Sequence, residues 1–203
     1  MRKAWLAGLG CVALLGLGVA GIGLWVRAVY NDLVEQEQNV NAKWAQVENV
    51  YQRRADLVPN LVATVKGYAA HESEVLEAVT ASRAQVGSMQ VTSDVLNRPA
   101  EFQKFQAAQA NLSGALQRLL VVAERYPDLK ANQNFLELQS QLEGTENRIA
   151  VERKRFNEAA QAYNTRIRQF PANLVARNFG FQEKQYFKGA AGSEKAPVVD
   201  FSK

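Results

Sequence analysis

The chain has one cysteine, Cys11, and one histidine, His71, in 203 residues. A lone cysteine excludes an intramolecular disulfide, and the pair cannot supply a zinc site of the usual four-ligand Cys/His kind. A di-iron bundle wants two Glu-x-x-His pairs on facing helices, which one histidine cannot provide. Nucleophilic catalysis needs a base beside its Ser, Thr or Cys, and His71 in the run His71-Glu72-Ser73-Glu74 is the sole imidazole on offer. An exposed or capping role is the simpler reading for it. The expectation is therefore no enzyme, no cofactor and no metal.

Excess charge is also scarce. With 24 basic and 20 acidic side chains the formal net charge is +4, too small a surplus to suggest nucleic-acid binding. Arg2, Lys3 and Arg27 flank an uncharged stretch and account for three of those charges. Residues 28–147 carry 10 basic and 15 acidic groups, and residues 148–203 carry 11 and 5. A basic C-terminal part can thus pair with acidic earlier helices, an attraction that salt would screen.

What is present is first a membrane segment. Residues 4–26 hold no charge and as a helix would span about 34 Å, against a hydrocarbon core of about 30 Å. Trp5 and Trp25 lie near its two ends, at the headgroup level that aromatic rings prefer. The bilayer is the first partner implied, through the Trp5–Trp25 span. A cleaved signal peptide is the competing reading, but the apolar run is longer than such signals carry, so a retained single-pass anchor is expected. Arg2, Lys3 and the N-terminal amine outweigh Arg27, which is followed by Asp32, Glu35 and Glu37. That bias places the N-terminus in the cytoplasm and the body of the protein outside it.

The body reads as all-helical. Phe135, Leu142, Ile149, Phe156, Tyr163 and Phe170 recur every seven residues, predicting a helix over about 132–170 with left-handed, coiled-coil-like packing. Phe102, Phe105, Leu112, Leu116, Leu119, Ala123 and Tyr126 form a second stripe with Gln109 its one polar member, Tyr30 to Tyr51 a third, and Leu61 to Val86 a fourth. Arg53-Arg54-Ala55-Asp56 ahead of Pro59 reads as a helix end and restart. A chain reversal there gives four helices of an antiparallel bundle; a kink gives one long rod. Matching helix lengths favour the reversal.

Two sets of residues stand out as candidate sites. Glu37, Arg54, Glu72 and Arg83 fall on or beside the apolar seams, with Gln109 and Asn157. Buried charges are costly unless paired and can set helix register, so an internal layer joining Glu37 or Glu72 to Arg54 or Arg83 is one expectation, and snorkelling to water is the other. Glu143 and Glu146 are expected to pair with Arg148 or Arg153. Arg177, Phe179, Phe181, Tyr186 and Phe187 form a basic and aromatic segment, either packed back on the bundle or serving as an interaction patch for a membrane surface or a partner. The domain reading is an anchor at 1–28, a helical bundle at 29–188 and a disordered tail at 189–203.

Several ordered blocks carry a resemblance: Tyr30-Asn31-x-Leu33-Val34, Trp44-Ala45-Gln46-Val47-Glu48, and Arg53-Arg54-x-Asp56-Leu57-Val58-Pro59-Asn60-Leu61-Val62. Further blocks are Val65-Lys66-Gly67-Tyr68 with His71-Glu72, Arg125-Tyr126-Pro127-x-Leu129-Lys130, Glu143-x-Thr145-Glu146-Asn147-Arg148-Ile149, Arg153 with Phe156-Asn157, and Tyr163-Asn164 ahead of Phe170-Pro171. Together they resemble the LemA family. The resemblance implies a bacterial, membrane-anchored helical bundle without established catalytic residues, whose relatives are connected with envelope and membrane organisation, including in magnetosome-forming bacteria. Two functions follow as expectations: a non-enzymatic scaffold or interaction module in the inner membrane, or an accessory subunit of a membrane protease or quality-control complex. Membrane or envelope proteins are the expected partners, and a homo-oligomer is left open.

Overall fold

A computed structural model describes residues 2–89 and 92–188, with side chains from residue 14 onward. The tail reading at 189–203 and the side chains of Trp5 and Cys11 lie outside the described residues.

Leu33, Val40, Val47, Arg54 and Leu61 repeat every seven residues, and Trp44, Tyr51, Val58 and Val65 repeat in step between them; all are buried. One unbroken phase needs one unbroken helix. Accordingly α1 runs from Arg2 to Lys66, through the span and through Pro59, and the expected reversal at residues 53–60 does not occur. The chain turns instead between α1 and α2 (Ser73–Gly87), so the stripe read as Leu61 to Val86 is divided, with His71 in the turn and Tyr68 exposed. Pro59 has no N–H for the Ala55 carbonyl, which ordinarily breaks a helix. Here Arg83 Nε donates to that carbonyl at 3.3 Å from α2. Asp56 accepts from Gln52 within the same helix at 2.7 Å.

A 3-10 turn at Ser93–Asn97 leads to α3 (Pro99–Ala123), whose first-turn proline costs no hydrogen bond. The short α4 (Pro127–Lys130) leads to α5 (Gln133–Arg168), started by the Asn132 side chain accepting from Phe135 N at 3.0 Å. Phe170, counted as the last member of the repeat, lies beyond α5 and is 80% exposed. After α6 (Ala172–Phe179), Gly180 at φ +78° takes the left-handed cap position that favours glycine and turns the chain into an extended strap, residues 181–188.

The long helices α1, α2, α3 and α5 alternate in direction, an up-down-up-down bundle with α1 against α5 and α2 against α3. Two apolar clusters fill it. The one near the span gathers Leu33, Val40, Trp44, Phe102, Phe105, Phe156 and Tyr163; the distal one gathers Val58, Leu61, Leu112, Leu119, Phe135 and Leu142. Leu14, Leu15, Leu17, Val19, Ile22 and Leu24 are each 64–72% exposed, so the bundle does not cover these apolar residues of α1. Its length and composition suffice to cross a membrane.

Candidate functional site

Between the two clusters the seam positions turn polar. Arg54 is 1% exposed and sits on α1 one turn past Tyr51. Its Nη1 donates to Glu146 Oε1 at 2.7 Å and to the Ser113 hydroxyl; its Nη2 donates to the Gln109 carbonyl at 3.2 Å and to the Gln109 side chain. The guanidinium carbon lies 5.1 Å from the Tyr51 ring centre. One cation thus ties α1 to α3 and α5 at the floor of a cavity of about 200 Å³, with Arg153, Phe187 and Lys188 also on its wall. The carboxylate offsets the charge and the neutral acceptors engage both terminal nitrogens, which makes burial of a guanidinium tolerable although its Nε–H has no partner among the described residues.

The expected layer is not assembled as read. Arg54 meets neither Glu37 nor Glu72; its partner is Glu146, which had been assigned to Arg148 or Arg153. Glu72 accepts from Tyr126 Oη at 3.0 Å and pairs with Arg125 at 3.2 Å in the distal turns. Arg83 caps the Ala55 carbonyl. Glu37 accepts from Lys184 Nζ at 2.7 Å. The four residues lie at three levels of the bundle: Glu37 toward the span, Arg54 and Arg83 about the level of Ala55, and Glu72 in the distal turns.

Lys184 was not anticipated. It is 4% exposed, donates also to Asn97 Oδ1 at 2.9 Å, and lies 5.5 Å from the Tyr163 ring centre. It is held there by its backbone. Asn164 donates to the Lys184 carbonyl and accepts from the Lys184 N–H, both at 2.9 Å; Asn157 does the same for Phe187, again at 2.9 Å each way. Seven helical residues rise about 10.5 Å and three extended residues about 10 Å, so two asparagines one heptad apart match strap residues three apart. Gln185 N donates to the Leu96 carbonyl on the strap's other edge at 3.0 Å. The legible signal was the short polar residue placed twice in the same register, after Phe156 and after Tyr163.

This clamp divides the aromatic patch. Phe187 is buried, stacked on Trp44 at 5.9 Å and 22°, with the Arg153 guanidinium 4.5 Å from its ring centre, so it belongs to the core and not to a surface. Phe181 is half-buried, 5.7 Å from the Tyr30 ring. Arg177, Phe179 and Tyr186 are exposed.

Two further carboxylates are tuned. Arg166 Nε, 2.6 Å from Asp32 Oδ2, is the main cause holding Asp32 below the ordinary carboxylate range. Burial pushes Glu48 up, an effect opposed by the Trp44 indole one turn away. Asp32 with Arg166 and Glu37 with Lys184 join carboxylates of α1 to cations of the basic C-terminal part, the sense expected from the regional charges.

The family model described as "LemA family" matches residues 43–201. Magnetosome protein MamQ 2 of Paramagnetospirillum magneticum is 27% identical over 190 residues, covering 84% of this chain and 68% of that protein. Magnetosome protein MamQ of Magnetospirillum gryphiswaldense is 27% identical, covering 78% and 64%. Protein LemA of Metamycoplasma hominis is 22% identical, covering 79% and 69%. With a family match over most of its length and a span-bearing helical bundle, the chain belongs to the LemA family.

Proposed function

We propose that this protein is a non-enzymatic, membrane-tethered scaffold of the bacterial inner membrane, with its N-terminus in the cytoplasm and its bundle outside. The carrying observation is the continuity of α1. The helix that includes the apolar span is also one of the bundle's long helices, packed against α2, α5 and α6, and it runs unbroken to Lys66. From Arg27 its 40 residues extend about 60 Å, so a partner bound at the distal end is carried on a continuous arm of that length. The two buried cations among the described residues, Arg54 and Lys184, are each paired with a carboxylate on another segment, contacts suited to holding helix register. Two relatives are named as magnetosome proteins, which supports a role in membrane organisation.

Photo-crosslinking in intact cells from positions at the distal end, followed by partner identification, tests the reading. Recovery of envelope proteins or further copies of the chain supports it. Recovery of one protease or quality-control enzyme in fixed ratio favours the accessory-subunit alternative. Orientation is tested separately, by labelling Lys130→Cys in a Cys11→Ser chain: reaction with an impermeant thiol reagent in intact spheroplasts is expected, and reaction only after lysis would reverse the topology.

A further inference from the structure

The chain reverses direction at the membrane end of the bundle, and α6 is the piece that makes the reversal. Descending α5 is fixed to the level of Asp32 by Arg166, and the ascending strap starts at the level of Tyr30, beside Phe181. The Phe179 ring lies 4.9 Å from the same tyrosine. Tyr30 is four residues, about 6 Å, beyond Val26 at the end of the uncharged stretch. Val26 packs against the apolar cluster that also holds Ala172, Val175 and Ala176, the inner face of α6. One cluster therefore joins α6 to the last turn of the span.

The outer face of α6 does not look like a water-facing surface. Phe170 is 80% exposed, Phe179 57% and Leu174 54%. Residues 159–182 contain no acidic side chain, whereas Arg166, Arg168 and Arg177 lie among them; Arg166 is held by Asp32 and Arg168 lies 3.8 Å from the exposed Glu183, and Arg177 has no carboxylate within salt-bridge distance among the described residues. Apolar side chains with neighbouring cations suit the boundary between acyl chains and phosphates.

We propose that α6 and the turn before it form a second membrane contact, an interfacial foot lying on an anionic phospholipid surface. Phe170 and Leu174 enter the acyl boundary, Arg177 meets a lipid phosphate, and Arg168 exchanges its long, exposed contact with Glu183 for another. A single span leaves a bundle free to tilt and rotate; a foot beside it sets both. The inference rests on insertion of the span and not on the identity of any protein partner.

The test uses the full chain with Cys11→Ser, one copy per nanodisc of mixed neutral and anionic phospholipid. An environment-sensitive fluorophore is attached through Phe170→Cys, Leu174→Cys, Ile22→Cys or Leu136→Cys, with circular dichroism confirming the fold of each. Headgroup-region nitroxide lipid is expected to quench the probes at 170 and 174 about twofold or more, leaving that at 136, on the distal part of α5, unquenched. Adding Arg168→Gln and Arg177→Gln is expected to reduce quenching at 174 in anionic but not in neutral discs. The probe at 22 reports insertion of the span. Blue-shifted emission at 22 with probes at 170 and 174 as unquenched as at 136 overturns the foot while leaving the anchor intact. A blue shift at 174 that appears only with two copies per disc assigns the face to self-association and also overturns it.

Discussion

Arg83 donates from α2 to the backbone carbonyl of Ala55, the one acceptor in α1 that Pro59 leaves without its helical N–H. A side chain from a neighbouring helix thereby replaces a main-chain bond. Arg83→Met should cost about 1 kcal/mol, the net worth of one hydrogen bond. In a Pro59→Ala background, where residue 59 can donate to Ala55 itself, that cost should vanish. A double-mutant cycle by thermal unfolding in detergent checks the coupling, and additive effects would break the link between the two residues.

The Arg54 pair is asymmetric: the cation is 1% exposed and Glu146 42%. Removing the exposed partner strands a buried charge, whereas removing the buried one frees a carboxylate that already reaches water. Glu146→Leu should therefore destabilise by about 3 kcal/mol and by more than Arg54→Met, with the double variant recovering part of the loss. Lys130→Met, on the surface, should leave the melting temperature near that of the parent. The reverse order for the first two variants would contradict the arrangement.

Releasing the strap should expose Trp44. Asn164→Ala removes a donor and an acceptor from the backbone of Lys184, and Asn157→Ala does so for Phe187. Each should cost about 2 kcal/mol and together they should free residues 181–188 to proteases. Red-shifted tryptophan emission would follow from the loss of Phe187 against the Trp44 ring, best read with Trp5 and Trp25 replaced by phenylalanine. Unchanged protease resistance in the double variant would refute the clamp.

Glu48 and Asp32 should respond to pH with opposite signs. Burial raises Glu48, so the fold favours its neutral form, and its contribution to stability is present at low pH and lost as pH rises through the raised folded value. Glu48→Gln should thus raise the melting temperature at neutral pH, with the gain fading below about pH 4. Arg166 lowers Asp32, whose contribution is present above the unfolded value and lost as pH falls through the lowered folded one. Asp32→Asn should lower the melting temperature at neutral pH and converge with the parent in acid. Melting curves from pH 3 to 8, a range chosen to bracket ordinary carboxylate titration, check both.

What the residue order settled by itself is whatever depends on near neighbours in the chain. The uncharged run of residues 4–26, the helical class and the seven-residue seam of α5 follow from local periodicity, because side chains seven apart return to the same face of a helix whatever surrounds them. The unbroken α1 was legible too. The step from Val47 to Arg54 to Leu61 keeps one phase across Pro59, but the proline and a charged seam position mask it, and the compensating donor, Arg83, lies 28 residues from the Ala55 carbonyl it serves. Tertiary structure alone decided the partners of the buried charges. Arg54 finds Glu146 at a separation of 92 residues and Glu37 finds Lys184 at 147, since pairing depends on which seams face each other at one height. It also decided the fate of the C-terminal aromatics. Composition marks Phe170, Phe179 and Phe187 alike; only the clamp of Asn157 and Asn164 draws Phe187 inside and leaves the other two at the surface, at the end of the bundle where the span begins.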